Sequence, residues 1–218
     1  MLIAFNKDRN RTEANEAIKK AEYVCPACDR RVLPKQGEIK IWHFAHKYLG
    51  DCWWASEGED HLQAKVSLKN IFSTYYKTEL EVFVGTNIID VLLDKKFAIE
   101  IQCSRISPID LMYRTQLLTK KGYAVLWLLA GQNIRDIFDN IEHVDKRTRN
   151  FIYLLHSKMY FGRFYIYDDN QIFAAYPYYR TKTLIKSIKL VPITNLKLVA
   201  QRIAGNITIA RFFDKYEK

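Results

Sequence analysis

Hydrophobic residues recur with two different periods along the middle of the chain, and these periods predict its elements. A helical period runs over residues 61–76, and a second one follows Pro108, with Ser107 as a candidate N-cap and Gly122 just past its end. Between the two helices the pattern changes to short apolar runs, which are typical of strands. A near-continuous apolar run at 123–129 then predicts a strand that is covered on both faces of a sheet.

Three short strands are predicted between the helices, and the last two form a hairpin that carries acids. The strands are expected at residues 79–84, 87–93 and 97–104. Asp90 stands in the second run and Glu100 in the third, where a buried strand normally carries an aliphatic side chain. An unpaired buried carboxylate costs several kcal/mol, so such an acid normally has a cation or a function. The two acids therefore predict a divalent-metal site.

The order helix, three strands, helix and strand predicts an α+β core. The second helix should return the last strand parallel to its neighbour through a right-handed crossover. We expect a small N-terminal lobe over residues 1–54, the core over 55–145, and a basic, aromatic-rich and β-rich extension over 146–218. Within the lobe, the Ala, Glu and Lys content of residues 12–22 favours a helix. Within the extension, apolar runs on either side of the turn 168–170 predict a second hairpin.

Composition indicates a soluble globular protein. Of the 218 residues, 49% are hydrophobic and 27% are charged, which excludes a disordered chain. No apolar run is long enough to span a membrane. The first residues lack the basic start and the long apolar stretch of a signal peptide, so we expect a cytoplasmic location.

The net charge of +10 is unevenly distributed along the chain. Residues 146–218 hold 14 basic and 4 acidic residues, whereas residues 51–145 hold 10 basic and 14 acidic residues. The acidic middle favours a cation site, and the basic end favours a polyanion such as nucleic acid. A solvated basic face that only aids solubility is the alternative interpretation.

Three of the four cysteines and two histidines fall in one short segment, and their spacing predicts a zinc site. Cys25 and Cys28 have knuckle spacing, and His43, His46 and Cys52 follow. Two thiolates from one tight turn, joined by imidazole or thiolate ligands from a second, bind tetrahedral zinc. The favoured set is Cys25, Cys28, His46 and Cys52, with His43 as the substitute. A redox pair is the alternative, and a disulfide is disfavoured in a cytoplasmic chain. A filled site would serve folding, and could also serve DNA docking, but it would take no part in chemistry.

An acid on one strand followed by Glu-x-polar on the next resembles the PD-(D/E)XK nuclease pattern. Glu100 and Gln102 point to one face of their strand and Ile101 to the other, and Asp90 shares the first face if the strands pair in register. The Ile101 carbonyl can still reach a cation. Gln102 stands where the pattern normally has Lys, and it cannot carry charge, but it can orient the attacking water. Proton removal would then fall to a hydroxide bound to the cation or to His61.

Further candidates lie at the start of the first helix. Glu59 and His61 could reach the same cation, and Lys65, one turn on from His61, could hold a phosphate. His61 could instead cap the helix or pack against the sheet. Glu57 is expected to be a solvated neighbour of Glu59, although the two could exchange roles.

Two arginines near the second helix are candidate DNA contacts. Arg105 and Arg114 could bind phosphate, and ordinary salt bridging is an equal alternative. With Lys65 they complete the predicted DNA-binding set, and Cys103 is expected to be a small core residue.

In their order and spacing, these motifs resemble the competence protein CoiA family. The matching segments are Cys-Pro-x-Cys, His-Phe-Ala-His, the Glu-rich segment that ends at His61-Leu62, and residues 98–104. Together they cover roughly residues 1–135. The resemblance implies a nuclease-like protein that is linked to DNA uptake and recombination during natural transformation. It also implies an αβββαβ core with a zinc-ribbon-like lobe, and a Gln102 that is the family's own version of the pattern.

The expected function is a DNA nuclease that uses Mg²⁺ or Mn²⁺. The ion would be held by Asp90, Glu100, Glu59 and the Ile101 carbonyl, and zinc would be structural. The expected partners are DNA, including single-stranded DNA, and recombination proteins. A nuclease of antiviral defence or of mobile elements would use the same chemistry, so the sequence does not separate it from a competence role.

A DNA-binding module that keeps the nuclease fold only as a scaffold is the main alternative. Its basic extension would follow the phosphates, and an exposed Tyr179, Tyr178 or Tyr165 would stack on unpaired bases. Ordinary core packing is the competing interpretation for these rings.

Overall fold

The computed structural model describes residues 1–48, 50–52, 54, 57–104, 106–131, 156–179, 185–203 and 207–213. The chain divides into two compact units, Met1–Val66 and Ser67–Lys218. Helices and sheets are both present, so the predicted α+β class is confirmed. The predicted three-part division of the chain stays a prediction. Within the described residues, no helix is long and apolar enough to cross a membrane.

The N-terminal unit contains a five-stranded antiparallel sheet. Its strands, which lie in the order β2-β1-β3-β4-β5, are β1 (Ile3–Asn6), β2 (Arg11–Glu13), β3 (Tyr23–Val24), β4 (Arg31–Lys35) and β5 (His43–His46). Tyr23 and Phe44 pack with ring centroids 5.0 Å apart, and Val32, the register partner of Tyr23, is fully buried. This small core fixes the end of β3, which Cys25 follows, and the strand that carries His46.

The helix predicted over residues 12–22 is not formed, and that prediction is wrong. Strand β2 and a single 3-10 turn (Ala14–Glu16) occupy the first part of the segment. The Ala14 amide donates a hydrogen bond to the Leu2 carbonyl at 2.9 Å. The backbone of this segment therefore bonds to the chain beside β1 and not within a helix. Ile18 is 70% exposed, and a helix this short gains most of its stability from burying an apolar face.

The second unit is built around a sheet of nine described strands. Helix α1 (Glu59–Ser73) begins in the first unit and ends in this one, and α2 is Pro108–Lys120. The strands are β6 (Thr78–Val84), β7 (Asn87–Leu93), β8 (Phe97–Gln102), β9 (Ala124–Leu129), β10 (Phe164–Asp168), β11 (Gln171–Tyr179), β12 (Ile185–Pro192), β13 (Leu198–Ile203) and β14 (Ile207–Phe212). The main path runs β12-β11-β10-β9-β8-β7-β6, and β13 pairs with β14.

Strand β9 is the centre of this sheet, and all six of its residues are buried. It pairs with β8 in parallel, from Phe97 opposite Ala124 to Gln102 opposite Leu129, as the crossover through α2 predicts. On the other edge, β9 pairs with β14 at Val125 and with β10 at Leu129. Burial on both faces explains why its sequence is apolar throughout.

Helix α2 begins and ends where the sequence signals predict. The Ser107 hydroxyl accepts the Asp110 amide at 3.1 Å, and Pro108 occupies the first turn. Gly122 follows the helix with a φ of +93°, a left-handed conformation that suits glycine. The buried side chains of the helix are Leu111, Thr115 and Leu118. This geometry fixes the helix beside the sheet and presents Arg114 toward β8.

Strands β10 and β11 form the second predicted hairpin. Their ladder starts with Phe164 opposite Ala175 and closes at Asp168. Asp169 and Asn170 occupy the turn with φ values of 41° and 60°, which Asp and Asn tolerate better than most residues.

Candidate metal sites of the two units

Four of the five predicted zinc ligands meet in the N-terminal unit. Cys25 follows β3, Cys28 closes the turn behind it, His46 ends β5, and Cys52 comes after β5. Their ligand atoms all lie within 4.8 Å of one another, with Cys25 Sγ 3.9 Å from Cys52 Sγ and Cys28 Sγ 3.2 Å from His46 Nε2. Two sulfur ligands of a tetrahedral zinc ion, with Zn–S bonds of about 2.3 Å, stand about 3.8 Å apart. The donor set and its spacing therefore fit zinc.

Backbone hydrogen bonds close the turn that carries the first two ligands. The Asp29 amide donates to the Cys25 carbonyl at 2.8 Å, and the Cys25 amide donates to the Arg30 carbonyl at 2.9 Å. Asp29 has a φ of 54°, a left-handed conformation that tightens the turn. The Ala27 amide donates to Cys25 Sγ at 3.4 Å. The turn thereby holds one ligand sulfur by a backbone donor.

The two thiols of this turn differ in their electrostatics. Burial raises the pKa of Cys25 to about 12, against the smaller opposing effect of amide hydrogen bonds. Burial also opposes ionisation of Cys28, but hydrogen bonds from the Arg30 side chain and backbone and from His46 outweigh it, and the pKa of Cys28 is lowered to about 6. Arg30 Nε donates to Cys28 Sγ at 3.4 Å. One thiol is thus prepared to ionise, whereas the other needs a cation beside it to do so.

His43, the substitute ligand, lies outside this cluster of four. Its Nδ1 is 2.8 Å from the Ile41 carbonyl oxygen, and its ring lines a cleft beside β5. Of the five candidates, the structure brings together the four that were favoured, and it leaves His43 on the neighbouring wall.

Asp90 and Glu100 lie next to the last pair of the β7–β8 ladder in the second unit. That last pair is Val91 with Ile99, and Asp90 and Glu100 are the adjoining residues of the two strands. Asp90 is 5% exposed, and Glu100 is fully buried. The hairpin therefore buries one carboxylate on each of two neighbouring strands.

Each of these acids has a hydrogen-bond partner in the second unit. The Asp90 carboxylate accepts a hydrogen bond from the Ile101 amide, with 2.8 Å between Oδ2 and the nitrogen. Glu100 accepts a hydrogen bond from Nη2 of Arg114, and the guanidinium carbon of Arg114 lies 5.0 Å from the centre of the Trp127 ring. A buried carboxylate is costly without a counter-charge, and Arg114 supplies one to Glu100. The cation–π contact with Trp127 holds the guanidinium in place for this task.

Gln102 ends β8 with its side-chain amide held by a nearby serine. Its Nε2 donates to the Ser104 carbonyl and lies 3.5 Å from Ser104 Oγ. Gln102 is 7% exposed. Because the nitrogen is engaged, the amide oxygen is the atom that Gln102 can offer as an acceptor to a water molecule.

The candidates near the start of α1 form ion pairs within the N-terminal unit. Lys65 is fully buried, and its ammonium donates to Glu57. His61 Nδ1 lies 3.4 Å from Glu57 Oε1. The Glu59 side chain is 49% exposed, and its carboxylate lies 3.2 Å from Lys40 Nζ. Lys65 therefore balances Glu57 in this structure. The predicted metal roles of Glu59 and His61 and the predicted phosphate contact of Lys65 stay predictions.

Glu57 is the residue that sequence reasoning undervalued. Its side chain is only 13% exposed, so the expectation of a solvated neighbour is wrong. The signal that could have identified it is its position just before α1, four residues from His61, which itself shares a helical face with Lys65.

The remaining predicted contacts have different outcomes. Arg105 lies outside the described residues, so its predicted DNA contact stays a prediction. Tyr165 is 1% exposed and packs against Phe212 with ring centroids 5.2 Å apart, so the prediction that it is exposed for stacking on bases is wrong. Tyr178 and Tyr179 are 54% and 38% exposed.

Comparison with known proteins places these features in a family context. A family model described as the nuclease-like domain of competence protein CoiA matches residues 57–201, and one described as the N-terminal domain of the same protein matches residues 6–55. The chain is 26% identical over 131 residues to the competence protein CoiA of Bacillus subtilis (strain 168), across 56% of this chain and 35% of that protein. It thus spans about a third of that relative. No solved structure matches significantly.

Proposed function

The chain belongs to the competence protein CoiA family, and on this premise we propose that it is a metal-dependent DNA nuclease acting in natural transformation and recombination. The buried carboxylates of Asp90 and Glu100, next to the last pair of the β7–β8 ladder, carry the proposal. Two buried acids on neighbouring strands are the donor set that Mg²⁺ or Mn²⁺ prefers. The element order α1, β6, β7, β8, α2 and β9 supports a PD-(D/E)XK core.

The roles of the hairpin residues follow from their positions. Asp90, Glu100 and the Ile101 carbonyl would hold the cation, which when bound supplies polarisation of the scissile phosphate and a more acidic water. Gln102 orients the attacking water, because Ser104 engages its amide nitrogen and leaves the amide oxygen as the acceptor. A glutamine cannot take up the proton, so the predicted proton acceptors stay the two alternatives, a hydroxide bound to the cation or His61.

Arg114 has two successive tasks in this proposal. In the metal-free protein its guanidinium balances the charge of Glu100. When a divalent cation balances that carboxylate, the guanidinium, whose side chain is 34% exposed, can pair with a substrate phosphate. The predicted phosphate contact of Arg114 is therefore coupled to metal binding.

A structural zinc ion completes the proposal for the N-terminal unit. The ligands Cys25, Cys28, His46 and Cys52 would fill all four positions, so the ion would stabilise the fold and take no part in chemistry. Three thiolates outweigh the two charges of zinc, and Arg30 beside Cys28 offsets part of the excess.

Asp90→Asn tests the catalytic assignment. Cleavage of labelled single-stranded and duplex DNA with Mg²⁺ should fall at least about a hundredfold, because an amide binds a divalent cation far more weakly than a carboxylate does. Glu79→Gln, which changes a half-buried acid of β6 in the same sheet, is the matched control and should cleave like the wild type. Undiminished cleavage by pure Asp90→Asn protein would refute the assignment.

A DNA-binding module of the recombination machinery is the second candidate. It is favoured by the arginine already paired with Glu100 and by the glutamine at the position where a lysine is usual. Such a module would bind DNA equally well with and without Mg²⁺. Calorimetric titration with Mg²⁺ separates the two functions, because a saturable site that is lost in Glu100→Gln supports the nuclease.

A further inference from the structure

The N-terminal unit exposes a group of large apolar side chains that neither the Cys/His cluster nor the acidic hairpin uses. Ile39 is 95% exposed, Trp42 43% and Tyr48 71%, and these residues lie on either side of β5. All three stand within ten residues of one another in the sequence, and such large exposed apolar side chains make this segment a candidate binding site. Residues 39–48 and the adjoining cleft are called the β5 surface below.

The two aromatic rings of the β5 surface are held in place without being buried. Trp42 Nε1 donates to the Gly37 carbonyl at 3.0 Å, and the Lys47 ammonium lies 5.1 Å from the centroid of the Tyr48 ring. Each ring is thus fixed by a polar contact and still presents apolar area to a partner. Side chains that are already oriented lose little conformational entropy on binding.

The strands and turns around β5 carry an excess of positive charge, whereas the cleft wall itself holds two acids, Glu57 and Glu59. Between residues 30 and 47 a single acid, Glu38, stands against five basic residues, which are Arg30, Arg31, Lys35, Lys40 and Lys47. Residues 1–66 as a whole hold 11 basic and 10 acidic residues, so the positive charge is concentrated in this segment. Cations interleaved with exposed aromatic rings are the composition of grooves that bind single-stranded nucleic acid.

A cleft of about 280 Å³ opens beside β5. Phe44 and Leu62 form apolar parts of its wall, and Tyr48, Lys40 and Glu59 supply polar atoms. This volume lies just below the range of sites for drug-sized ligands, so it suits one nucleobase and excludes a duplex. A carboxylate accepts a hydrogen bond from the exocyclic amino group of cytosine, a group that thymine lacks.

We propose that the β5 surface binds single-stranded DNA, with one unpaired base in the cleft beside Tyr48 and a second base stacked on Trp42. Lys35 and Lys47 then contact the backbone phosphates. The inference rests on the proposed function only in taking DNA as the substrate. It adds that the DNA is bound as a single strand with unpaired bases. The local excess of cations favours a nucleic acid over an apolar protein partner.

Fluorescence anisotropy with a labelled oligodeoxycytidine and the full chain, without added Mg²⁺, tests the inference. The double variant Trp42→Ala/Tyr48→Ala should bind at least about thirtyfold more weakly, because two stacking platforms are lost. Trp42→Phe/Tyr48→Phe keeps both rings and should stay within about threefold of the wild type. Tyr75→Ala removes a ring of the second unit that is 51% exposed and should bind like the wild type.

Three outcomes overturn the inference. The first is unchanged DNA binding by the double alanine variant when its zinc content is normal. The exposed rings would then serve to bind a protein partner. The second is that the double alanine variant loses as much affinity for duplex DNA as for single-stranded DNA. The third is that Trp42→Phe/Tyr48→Phe loses as much affinity for oligodeoxycytidine as the double alanine variant does. Tighter binding of oligodeoxycytidine than of oligothymidine supports the cleft. Cleavage assays on Asp90→Asn are independent of these results, so the inference and the proposed function can fail separately.

Discussion

The Cys/His cluster of the N-terminal unit and the acidic hairpin of the second unit both bury ionisable groups, but they balance the charge differently. In the cluster, three sulfur atoms and one imidazole nitrogen face one another at the spacing of a tetrahedral ion. In the hairpin, each acid has a partner that the protein itself provides, an amide for Asp90 and a guanidinium for Glu100.

This difference indicates which of the two units should need its metal ion in order to stay folded. Ligands that converge on one point repel each other once they ionise, so the cluster needs a cation to keep its geometry. Carboxylates with a hydrogen-bond donor and a counter-charge keep theirs without one. Loss of metal should therefore unfold the N-terminal unit, whereas it should leave the sheet folded and remove only its chemistry.

Cys25→Ser should have the largest effect on stability. Structural zinc contributes on the order of 10 kcal/mol to the folding of small domains, so this variant should lose its zinc and expose the N-terminal unit to limited proteolysis. Cys103→Ser, which changes the cysteine outside the cluster, should keep both its zinc and its resistance. Full zinc content in Cys25→Ser, measured by mass spectrometry of the metal, would contradict the assignment.

His156 sharpens the comparison, because it is buried against rings and not against a charge. It is fully buried beside Trp127 and Tyr160, and burial lowers its pKa from 6.5 to about 4. Between these two values the unfolded chain binds more protons than the folded one. Stability should therefore fall as the pH drops from about 6.5 to about 4, by up to about 3 kcal/mol.

His156→Phe should remove this part of the pH dependence. Urea unfolding at pH 7 and at pH 4.5 gives the free energy of unfolding of the variant and of the wild type. The difference between the two proteins isolates the contribution of His156, because zinc release in acid affects both equally. His61→Gln, at a position whose side chain is 21% exposed, is the control and should keep the full dependence. An identical acid slope in His156→Phe and the wild type would rule out His156 as its source.

Arg114→Met should have the smallest effect on stability of the three substitutions. It should lower the stability of the protein but strengthen Mg²⁺ binding. Without Mg²⁺ the variant should lose about 2 kcal/mol, less than a fully buried pair would lose, because the arginine is one third exposed. Mg²⁺ should bind several-fold more tightly, since the guanidinium no longer competes for Glu100. Thermal unfolding with and without Mg²⁺, together with calorimetry, measures both effects.

Arg114→Met/Glu100→Gln is the control for that experiment. It removes the buried charge along with its partner, so it should recover most of the lost stability while it abolishes the Mg²⁺ site. Weaker Mg²⁺ binding by Arg114→Met alone would show that the guanidinium supports the ion and does not compete with it.

Features that depend on neighbouring residues could be predicted from the sequence. The Ser107 cap, the parallel return of β9 and the β10–β11 hairpin each follow from a local pattern and were found. The two acid-bearing strands themselves also follow from a local pattern, and β7 and β8 pair as an antiparallel hairpin. The zinc-type cluster could be recognised because its ligands lie close together in the sequence.

Features that depend on tertiary packing could not be predicted. The pairing of Arg114 with Glu100 requires the position of α2 over β8, and the burial of Tyr165 requires a contact with Phe212 from the far end of the chain. The helix expected over residues 12–22 illustrates the same limit, because the sheet takes up backbone that composition alone assigns to a helix. The burial of Glu57 and its ion pairs with Lys65 and His61 likewise depend on packing, and the spacing of these residues could at most have suggested them.

The central position of β9 has a consequence for how the protein folds. The β6–β8 meander joins neighbouring segments and can form early, but Val125 pairs with Ile209, which lies far along the chain. Closing so distant a contact costs loop entropy and slows folding. Until β14 arrives, part of that edge is open to mispairing with another chain. Truncation before residue 198 should therefore yield aggregates and not a smaller soluble domain.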